Sequence, residues 1–407
     1  MELEPHTSRT KAALFLSLVV FTCGQSFLFV VLPPLGRRLG FSDLQVGGIL
    51  SLSALLVMLS APAWGYLSER VGRRPILLFA LAGAILSALG YGAIVQWRLS
   101  GALNVVPALV LIALVRMVQA LATSGIIPSA QAYMADITTP TQRAGGMGIL
   151  GAAVGIGMIA GSTLAWQVAG TNPPLAFAIV AILAAGALSA IFWLAREPRR
   201  AISLVASDTR LAFDRIWPFL LITLVAISAF SILQQVIALR LQDSLSFTVE
   251  ESISRGGAVV VVTALTMIVM QAGAVRVLRW KPARLLGIGA IAAAVAMLAC
   301  TLVTTYPAII AAATLLGAGL GLMLPGNLAL LSLATGPGAQ GKVAGVNVFA
   351  QGLAQAIGPI TGASLHHISP LAPFSAATIL LALACLISLF VWRRSHPEQN
   401  QTAFIVG

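Results

Sequence analysis

Long apolar stretches alternate with short polar ones along the whole chain. A hydrocarbon core about 30 Å thick is crossed by about 20 apolar residues in a helix, and the sequence contains twelve runs of this kind. They cover approximately residues 12–35, 43–67, 76–97, 104–133, 143–168, 172–195, 215–240, 251–275, 283–304, 307–333, 341–367 and 371–394. The pattern predicts an all-α membrane protein with twelve transmembrane helices and little chain left for a soluble domain.

Composition narrows the class further. The chain is 58% hydrophobic and 9% charged, whereas a soluble globular domain has about a quarter of its residues charged. A soluble protein is therefore excluded. The first apolar run contains Gln25, ends in Pro33 and Pro34 and has no small-residue cleavage site, so we expect an uncleaved first span and not a signal peptide.

The basic residues are divided unevenly between the two sides of the predicted bundle. Of 24 lysines and arginines, 18 fall on the side of the amino terminus, five fall on the other side, and Arg116 lies within a span. Cytoplasmic loops carry an excess of Lys and Arg, so the sequence predicts a cell inner membrane protein with both termini cytoplasmic. Membrane lipids account for the net charge of +12, and we expect no nucleic-acid partner.

The two halves of the chain repeat each other. Gly157 to Gly161 reads GMIAG, and Gly358 to Gly362, 201 residues later, reads GPITG. This predicts two pseudo-symmetric six-helix halves, residues 1–195 and 216–407, joined by a polar and basic cytoplasmic linker, residues 196–215. Duplicated halves place a substrate site at their interface near mid-membrane and allow the halves to rock around it.

The loop after the second run reads GYLSERVGRRP from Gly65 to Pro75. We expect Gly65 to allow close approach of a neighbouring helix and Gly72 to allow a tight turn. Glu69 is expected to face the positive amino end of the eleventh helix, an interaction of about 0.3–1 kcal/mol. Such a contact would latch the two halves on the cytoplasmic side.

The arginines of this loop have two possible roles. Arg70, Arg73 and Arg74 could pair with Asp136 or with lipid phosphates. Alternatively, they could serve only as the positive charges that set topology, since that rule requires charges but neither the glycines nor Glu69.

These motifs resemble the major facilitator superfamily, and most of all its twelve-span drug:proton antiporter branch, over essentially the whole chain. The Gly65 loop matches the family's loop between helices two and three, and LVRMVQA resembles the fourth-helix motif RxxQG, with Ala120 in place of the glycine. YMADITTPTQR is similar to the loop after helix four, whereas the Gly-Pro of the fifth-helix antiporter motif reads Gly157-Met158 and is found instead in helix eleven. Physical reasoning and resemblance together give these candidate gating residues: Gly65, Glu69, Arg70, Gly72, Arg73, Arg74, Asp136, Arg143, Gly157, Gly161, Gly358 and Pro359.

Arg116 is the one charge near the middle of a predicted span. A charge there is costly, so it should face water or a partner. Arg116, Gln119 and Thr123 share one helical face, and Asn347, Gln351 and Gln355 form a second polar stripe. The resemblance implies that helices one, four, seven and ten line a central cavity, which gives these candidate substrate-binding residues: Arg116, Gln119, Gln25, Gln234, Gln235, Asn327, Asn347 and Gln351. Each amide could instead only bond between helices.

Acidic residues are absent from the interior of the predicted spans. All twelve lie in loops or at helix ends, whereas proton relays usually use a buried carboxylate or histidine and cationic-drug sites usually use a buried carboxylate. A cavity with one arginine and several amides suits a neutral or anionic substrate. Proton coupling, implied by resemblance, would have to use Asp136, groups around Arg116, or the rim residues Asp43, Asp243, Glu250 and Glu251.

The sequence therefore favours a secondary active transporter that acts as a monomer, exporting an amphipathic or anionic small molecule by alternating access and driven by a proton gradient. Two alternatives are a dedicated exporter of an anionic metabolite, such as a carboxylate siderophore, and a membrane sensor or scaffold. No nucleophile and base pair can be assembled within the spans, so an enzyme is not expected. Cys23, Cys300 and Cys385 and the neighbouring His366 and His367 lack metal-ligand spacing, so we expect no metal and no cofactor.

Overall fold

The computed structural model describes residues 5–139, 143–197, 213–274, 280–335 and 340–395. These ranges form helices joined by short connections, and they contain no β-strand. The predicted twelve helices are confirmed: α1 (Pro5–Leu39), α2 (Asp43–Val71), α3 (Arg73–Leu99), α4 (Val105–Asp136), α5 (Arg143–Leu164), α6 (Pro173–Leu194), α7 (Phe213–Leu245), α8 (Val249–Val269), α9 (Pro282–Leu302), α10 (Tyr306–Thr335), α11 (Gln340–Ile368) and α12 (Ala372–Ser395).

The helices extend past several of the apolar runs that predict them. α1 begins at Pro5, ahead of the predicted residue 12, and α7 ends at Leu245 instead of 240. Backbone hydrogen bonding continues into polar residues at the membrane edge, where hydropathy no longer marks the helix. Eleven helices are long and apolar enough to cross a membrane, and the apolar part described for α12 is the shorter Ala372–Ser388.

Three helices contain a local change of geometry. α4 consists of Val105–Thr123 and Ile126–Asp136, separated by a two-residue turn. α5 and α8 each continue into one π-helical turn, Ala165–Ala169 and Met270–Ala274 respectively. Single π turns within helices often occur at functional sites, and these two lie at opposite ends of the molecule.

The second helix of each half begins in the same way. At α2 the Ser42 hydroxyl accepts from the Gln45 backbone N–H at 3.2 Å, while the Gln45 side chain accepts from the Ser42 N–H at 2.9 Å. At α8, Thr248 and Glu251 form the same reciprocal capping box. A capping box satisfies two of the N–H groups that a helix start leaves unpaired, so the duplication includes the start signals of the helices.

The two halves pack in equivalent ways. α1 lies against α5 and α3 against α6 in the first half, and α7 lies against α11 and α9 against α12 in the second. Across the halves, α2 contacts α11 and α5 contacts α8. This is the predicted two-half arrangement. The predicted linker falls mostly on residues 198–212, which lie outside the described residues.

α1 and α7 occupy the centre of the molecule. In their most apolar stretches 72% and 78% of residues are buried, compared with 28–56% in the other nine described helices that are long and apolar enough to cross a membrane. For orientation, the end of the bundle that carries Leu194 and Phe213 is called the linker end, and the opposite end is called the far end.

Candidate functional site

Arg116 is completely enclosed by the first half, with 1% of its surface exposed. Its Nε donates to Ser53 Oγ at 2.8 Å, Nη1 to Gln119 Oε1 at 2.9 Å and Nη2 to Gln25 Oε1 at 2.9 Å. The three acceptors come from α2, α4 and α1, and all are neutral. The predicted sharing of a helical face by Arg116 and Gln119 is confirmed by their hydrogen bond.

The surroundings hold these acceptors in place. Ser53 donates its own hydroxyl proton to Leu50 O at 2.7 Å, so its oxygen is left to accept from the guanidinium. Tyr91 OH donates to Gln119 Oε1 at 3.3 Å, and its ring stacks on Phe177 with centroids 5.4 Å apart. A guanidinium has five N–H donors. Three of the five donors of Arg116 bond to these neutral oxygens, and the Tyr91 hydroxyl also lies beside the guanidinium.

A second polar cluster ties three helices of the second half together. Asn327 Nδ2 donates to Phe219 O at 2.8 Å and to Thr223 Oγ1 at 2.9 Å, and Thr223 Oγ1 donates to Asn347 Oδ1 at 2.8 Å. Asn327 and Asn347 thus bond between helices α7, α10 and α11. Asn327 Oδ1 is buried and has no hydrogen-bond partner among the described residues.

The remaining candidate amides differ in burial. Gln234 and Gln235 of α7 are 8% and 0% exposed, and both amide atoms of Gln235 lack a partner within the described ranges. On α11, Gln351 is half-buried and Gln355 is exposed. The polar stripe predicted on α11 therefore runs from a buried contact at Asn347 to an exposed end, and its three members do not share one environment.

The turn between α2 and α3 contains an acidic partner that the sequence interpretation missed. Glu197, just past α6, accepts the backbone N–H of Arg73 at 2.7 Å and that of Arg74 at 3.0 Å. Gly72 has φ +115°, and a Cβ there would lie 2.8 Å from the Glu197 carboxyl carbon. The expected tight turn at Gly72 is confirmed. In the sequence, the only signal of this contact is that Glu197 lies in the charged segment REPRR.

The side chains of the loop arginines have specific partners. Arg73 bonds to Asp136 Oδ2 at 3.4 Å and to Ser68 Oγ at 2.5 Å, which realises one of the expected pairings with Asp136. Arg74 donates to Phe192 O at 2.7 Å. Arg70 lies over the ring of Tyr66, with its Cζ 4.5 Å from the centroid. The side chain of Arg143 lies outside the described part of the structure.

Two expectations for this loop are not met. A Cβ at Gly65 would be 3.9 Å from Pro128 Cβ, which is ordinary van der Waals contact, so no neighbour requires a glycine there. Glu69 is exposed and makes no hydrogen bond or ion pair with the residues that the structure describes. Among the described residues Glu69 forms no latch to α11, and Asp136 and Glu197 are the acids that meet this loop.

The candidate glycines of α5 and α11 pack within each half. A Cβ at Gly157 would be 2.4 Å from Val19 O, and one at Gly161 would be 2.1 Å from Cys23 O, both on α1. A Cβ at Gly358 would be 2.5 Å from Ser231 Oγ on α7. These glycines therefore seat α5 on α1 and α11 on α7, whereas Pro359 reaches across the halves, its carbonyl 2.9 Å from a Cβ built at Gly47.

Charged residues at the far end join the two halves. Arg37 of α1 donates to both carboxylate oxygens of Asp43, at 2.7 and 2.6 Å, and to both of Asp243, at 2.7 and 2.9 Å. His366 Nε2 lies 2.8 Å from Asp243 Oδ2, and Arg38 pairs with Glu250 at 2.8 Å. Arg37, Asp43, Asp243 and His366 are called the far-end clasp. The sequence placed its acids at the rim but did not predict that they meet across the halves.

Further hydrogen bonds between the halves lie in the same part of the molecule. Ser254 donates to Trp166 O at 2.7 Å, and Ser51 Oγ accepts from the Ile360 backbone N–H at 2.8 Å. Together with the clasp, these contacts hold α1, α2 and α5 against α7, α8 and α11 between mid-depth and the far end. The structure is that of a molecule whose far end is closed.

Arg240 is the last residue of the seventh apolar run, and α7 continues past it to Leu245. It lies in α7, is 1% exposed, and donates to the carbonyls of Cys300 and of Val303, the latter at 2.7 Å. Its guanidinium also lies over the Phe374 ring, 4.7 Å from the centroid. A cation at the carboxyl end of a helix interacts favourably with its unpaired carbonyls, so Arg240 caps α9.

Comparison with known proteins identifies the class. The family model for the Major Facilitator Superfamily matches residues 14–283 and 219–406, and the chain belongs to this family. It is similar to Multidrug resistance protein 1 of Bacillus subtilis (strain 168), with 25% identity over 395 residues that cover 94% of this chain and 96% of that protein. The protein is therefore a multi-pass membrane protein and a secondary active transporter.

Two further relatives define the extent of the similarity. Tetracycline resistance protein, class B, of Escherichia coli is 34% identical over 179 residues, 43% of this chain and 41% of that protein. A bacterial homologue of the human lysosomal transporter Spinster, solved in an inward-facing and unoccupied conformation, has the same fold, with a TM-score of 0.76, 16% identity and coverage of 96% of this chain and 98% of that one.

Proposed function

We propose that the protein exports an amphipathic or anionic small molecule across the inner membrane by alternating access, driven by the proton gradient. The linker end is cytoplasmic in this proposal, which the excess of basic residues on that side supports. The names of the multidrug and tetracycline resistance relatives support export. With the far end closed, the present structure then corresponds to the state that loads substrate from the cytoplasm.

The environment of Arg116 carries the proposal for the substrate. The guanidinium is buried, and its three acceptors are neutral oxygens. A buried charge without an opposite charge is costly unless a partner arrives. An anionic group supplies that partner with charge-assisted hydrogen bonds, whereas a cationic substrate would add repulsion.

The distribution of acids supports the same choice. In the described residues every Asp and Glu lies in the first or last turn of a helix or outside one. A cationic drug would find no carboxylate at the depth of Arg116. Proton coupling in this proposal uses acids at the two ends, of which Asp136 at the linker end and Asp243 at the far end both contact arginine.

Transport by reconstituted vesicles tests the proposal. Vesicles with an imposed proton gradient are screened with matched anionic, neutral and cationic amphipathic compounds for wild type, Arg116→Lys, Arg116→Gln and the exposed control Arg215→Ala. We expect anions to move, Arg116→Lys to keep part of the activity, and Arg116→Gln to lose anion transport at least tenfold, since one charge-assisted hydrogen bond contributes about 1.5–3 kcal/mol.

Two results would contradict the proposal. Equal anion transport by Arg116→Gln and wild type would remove Arg116 from the substrate site. Transport of cations in preference to anions would overturn the substrate class. The absence of gradient-dependent transport of any compound, in a preparation that elutes as a single species, would favour the sensor or scaffold alternative.

A further inference from the structure

Asp243 is the centre of the far-end clasp and has partners in both halves. Arg37 of the first half donates from Nη1 to Asp243 Oδ1 at 2.7 Å and from Nη2 to Oδ2 at 2.9 Å. His366 of the second half lies with Nε2 2.8 Å from the same Oδ2. One carboxylate thus binds an arginine from across the interface and a histidine from its own half.

Burial differs within this group. The side chain of Asp243 is 33% exposed, so water at the far end reaches the carboxylate. The side chain of His366 is 1% exposed, and its Nδ1 is buried without a hydrogen-bond partner among the described residues. Histidine is the residue whose charge ordinarily changes between pH 5 and 8. Because Nε2 of the neutral ring donates to the Asp243 carboxylate, Nδ1 is the ring nitrogen left to take up a proton.

We propose that Asp243 and His366 form a proton-binding site open to the far side, and that proton uptake there loosens the far-end clasp. The proposal rests on the proposed function in one respect, that the far end opens during the transport cycle. It adds a specific ligand, the proton, and assigns it to residues that are remote from Arg116.

Protonation of His366 changes the charges that Asp243 faces. When His366 is neutral, Arg37 is the cation bonded to ionised Asp243, and their attraction draws the two halves together. A proton added at Nδ1 makes His366 a cation that already adjoins Asp243. The carboxylate then has a partner within its own half, and the two cations repel each other. No bond between heavy atoms changes, because the proton is held on the imidazole.

Arg37 also has an acidic partner within the first half. Asp43, at the start of α2, binds Arg37 Nε at 2.7 Å and Nη2 at 2.6 Å. When Asp243 releases Arg37, the arginine keeps this bidentate pair within the first half. Proton uptake therefore favours two charge pairs within separate halves, Arg37 with Asp43 and His366 with Asp243, and leaves the 3.3 Å hydrogen bond from Arg37 Nη1 to the neutral Gln242 Oε1 as the remaining contact of Arg37 across the halves.

Nδ1 of His366 is buried in the closed structure. A protonated Nδ1 carries an N–H donor, and in the closed structure this donor has no acceptor among the described residues. An unpaired buried donor is unfavourable, so the cationic ring is more stable where it reaches water. Opening the far end supplies that water.

The other charged and titratable groups near the clasp bond to partners outside it or are exposed. Arg38 of α1 pairs with Glu250 of α8 at 2.8 Å, which is a second contact between the halves that does not include histidine. Arg240 of α7 is directed to the carbonyls at the end of α9. His367 is exposed, and Glu251 caps α8 and lies 3.9 Å from Arg255. The pH response is therefore assigned to Asp243 and His366.

Distance measurements between spin labels at the far end test the proposal. Labels at Ser100→Cys, in the connection after α3, and Thr304→Cys, in the connection after α9, report the separation of the halves, in the full-length chain with its three native cysteines replaced. Pulsed dipolar spectra are recorded in lipid nanodiscs at about pH 8 and about pH 5.5, on either side of the range in which histidine ordinarily titrates. We expect the wild type to shift to longer distances at the lower pH.

Three variants isolate the site. His366→Gln can still donate to Asp243 but cannot take up a proton, so it should keep the closed distance of the wild type at both pH values. The matched control His367→Gln, at the exposed neighbour, should respond to pH like the wild type. Asp243→Asn removes the charge that holds Arg37 and should show the longer distance at both pH values.

The distance measurements test the clasp separately from the proposed anion export. The proposal is wrong if the wild-type distances are independent of pH, if His366→Gln responds as the wild type does, or if Asp243→Asn stays closed at both pH values. None of these measurements uses a substrate. A failure of the proposed anion export would therefore leave the result at the clasp intact, and a failure at the clasp would leave the role of Arg116 untouched.

Discussion

Single residues decide the turn between α2 and α3. Gly72, with φ +115° and ψ 156°, lies in a region of backbone conformation that is essentially restricted to glycine. This turn directs the N–H groups of Arg73 and Arg74 at the Glu197 carboxylate. A negative charge at the start of a helix is favourable. One glycine therefore permits both the turn and the contact that ties α6 to α3.

Replacement of Gly72 tests this dual role. Gly72→Ala should lower stability by about 1–3 kcal/mol, because its φ is unfavourable for alanine and the new Cβ would collide with Glu197. Gly101→Ala is the matched control, since Gly101 also has a positive φ, +80°, but has nothing within 4 Å of a built Cβ. Thermal unfolding in detergent should show the larger loss for Gly72→Ala. Equal losses for the two variants would mean that the Glu197 contact contributes nothing.

At the scale of helices, glycines spaced four residues apart bring pairs of helices together. Gly157 and Gly161 lie on one face of α5 and allow its backbone to touch α1, and Gly358 and Gly362 lie on the equivalent face of α11 against α7. Helices in membranes associate largely through such close packing of small residues. The repeat GMIAG and GPITG is thus a repeat of a helix contact.

Alanine at one of these positions should separate α5 from α1. Gly161→Ala would place a Cβ 2.1 Å from Cys23 O, and because a backbone atom cannot move aside, we expect a loss of about 1–3 kcal/mol or more. Gly151→Ala, on the same helix with nothing within 4 Å of its Cβ, should be neutral or slightly stabilising. The measurement is the apparent melting temperature of both variants. A melting temperature for Gly161→Ala that matches that of Gly151→Ala would contradict the packing role.

At the scale of the whole molecule, two equivalent helix crossings close the far end. A Cβ at Gly47 of α2 would be 2.6 Å from Ala363 Cβ of α11, and one at Gly257 of α8 would be 2.7 Å from the Trp166 backbone nitrogen beyond α5. The two contacts join opposite halves and lie on the same side of mid-depth as the far-end clasp. Closure therefore needs both close backbone approach and the ion pairs.

Alanine substitutions at the glycines of these crossings should open the far end. We expect Gly47→Ala and Gly257→Ala to increase the fraction of molecules with a long Ser100 to Thr304 label distance at about pH 8, because the added methyl groups fit only when the halves separate. Gly48→Ala, next to Gly47 but with nothing within 4 Å, serves as the control. If the label distances are unchanged in both Gly47→Ala and Gly257→Ala, the halves can close without these glycines.

Features that depend on a single property of the residues, such as hydrophobicity or charge, could be predicted from the sequence. Apolar runs predicted all twelve helices, with the clearest differences at the ends of α1 and α7, since hydropathy changes before the helix ends. The face shared by Arg116 and Gln119 and the pairing of Arg73 with Asp136 were also anticipated. Gly65 was not correctly interpreted, because a loop motif does not reveal which neighbours the loop will meet.

Contacts between distant residues required the tertiary structure. Asp243 and His366 are 123 residues apart, and Arg37 is 206 residues from Asp243. Each was visible in the sequence only as a charge at the end of a span. Glu197 likewise was counted as part of the linker. No local pattern indicates that such groups meet, because their distance depends on how the helices pack.

The sequence by itself determined the membrane class, the twelve helices, the duplication and the absence of acids deep in the spans, since each follows from hydrophobicity, spacing and residue type along the chain. Only the tertiary structure decided that the far end is closed, that Arg116 is held by neutral oxygens and that Asp243 binds partners from both halves. These features are set by the packing of helices from separate parts of the chain, and packing is a property of three-dimensional contact that no single segment contains.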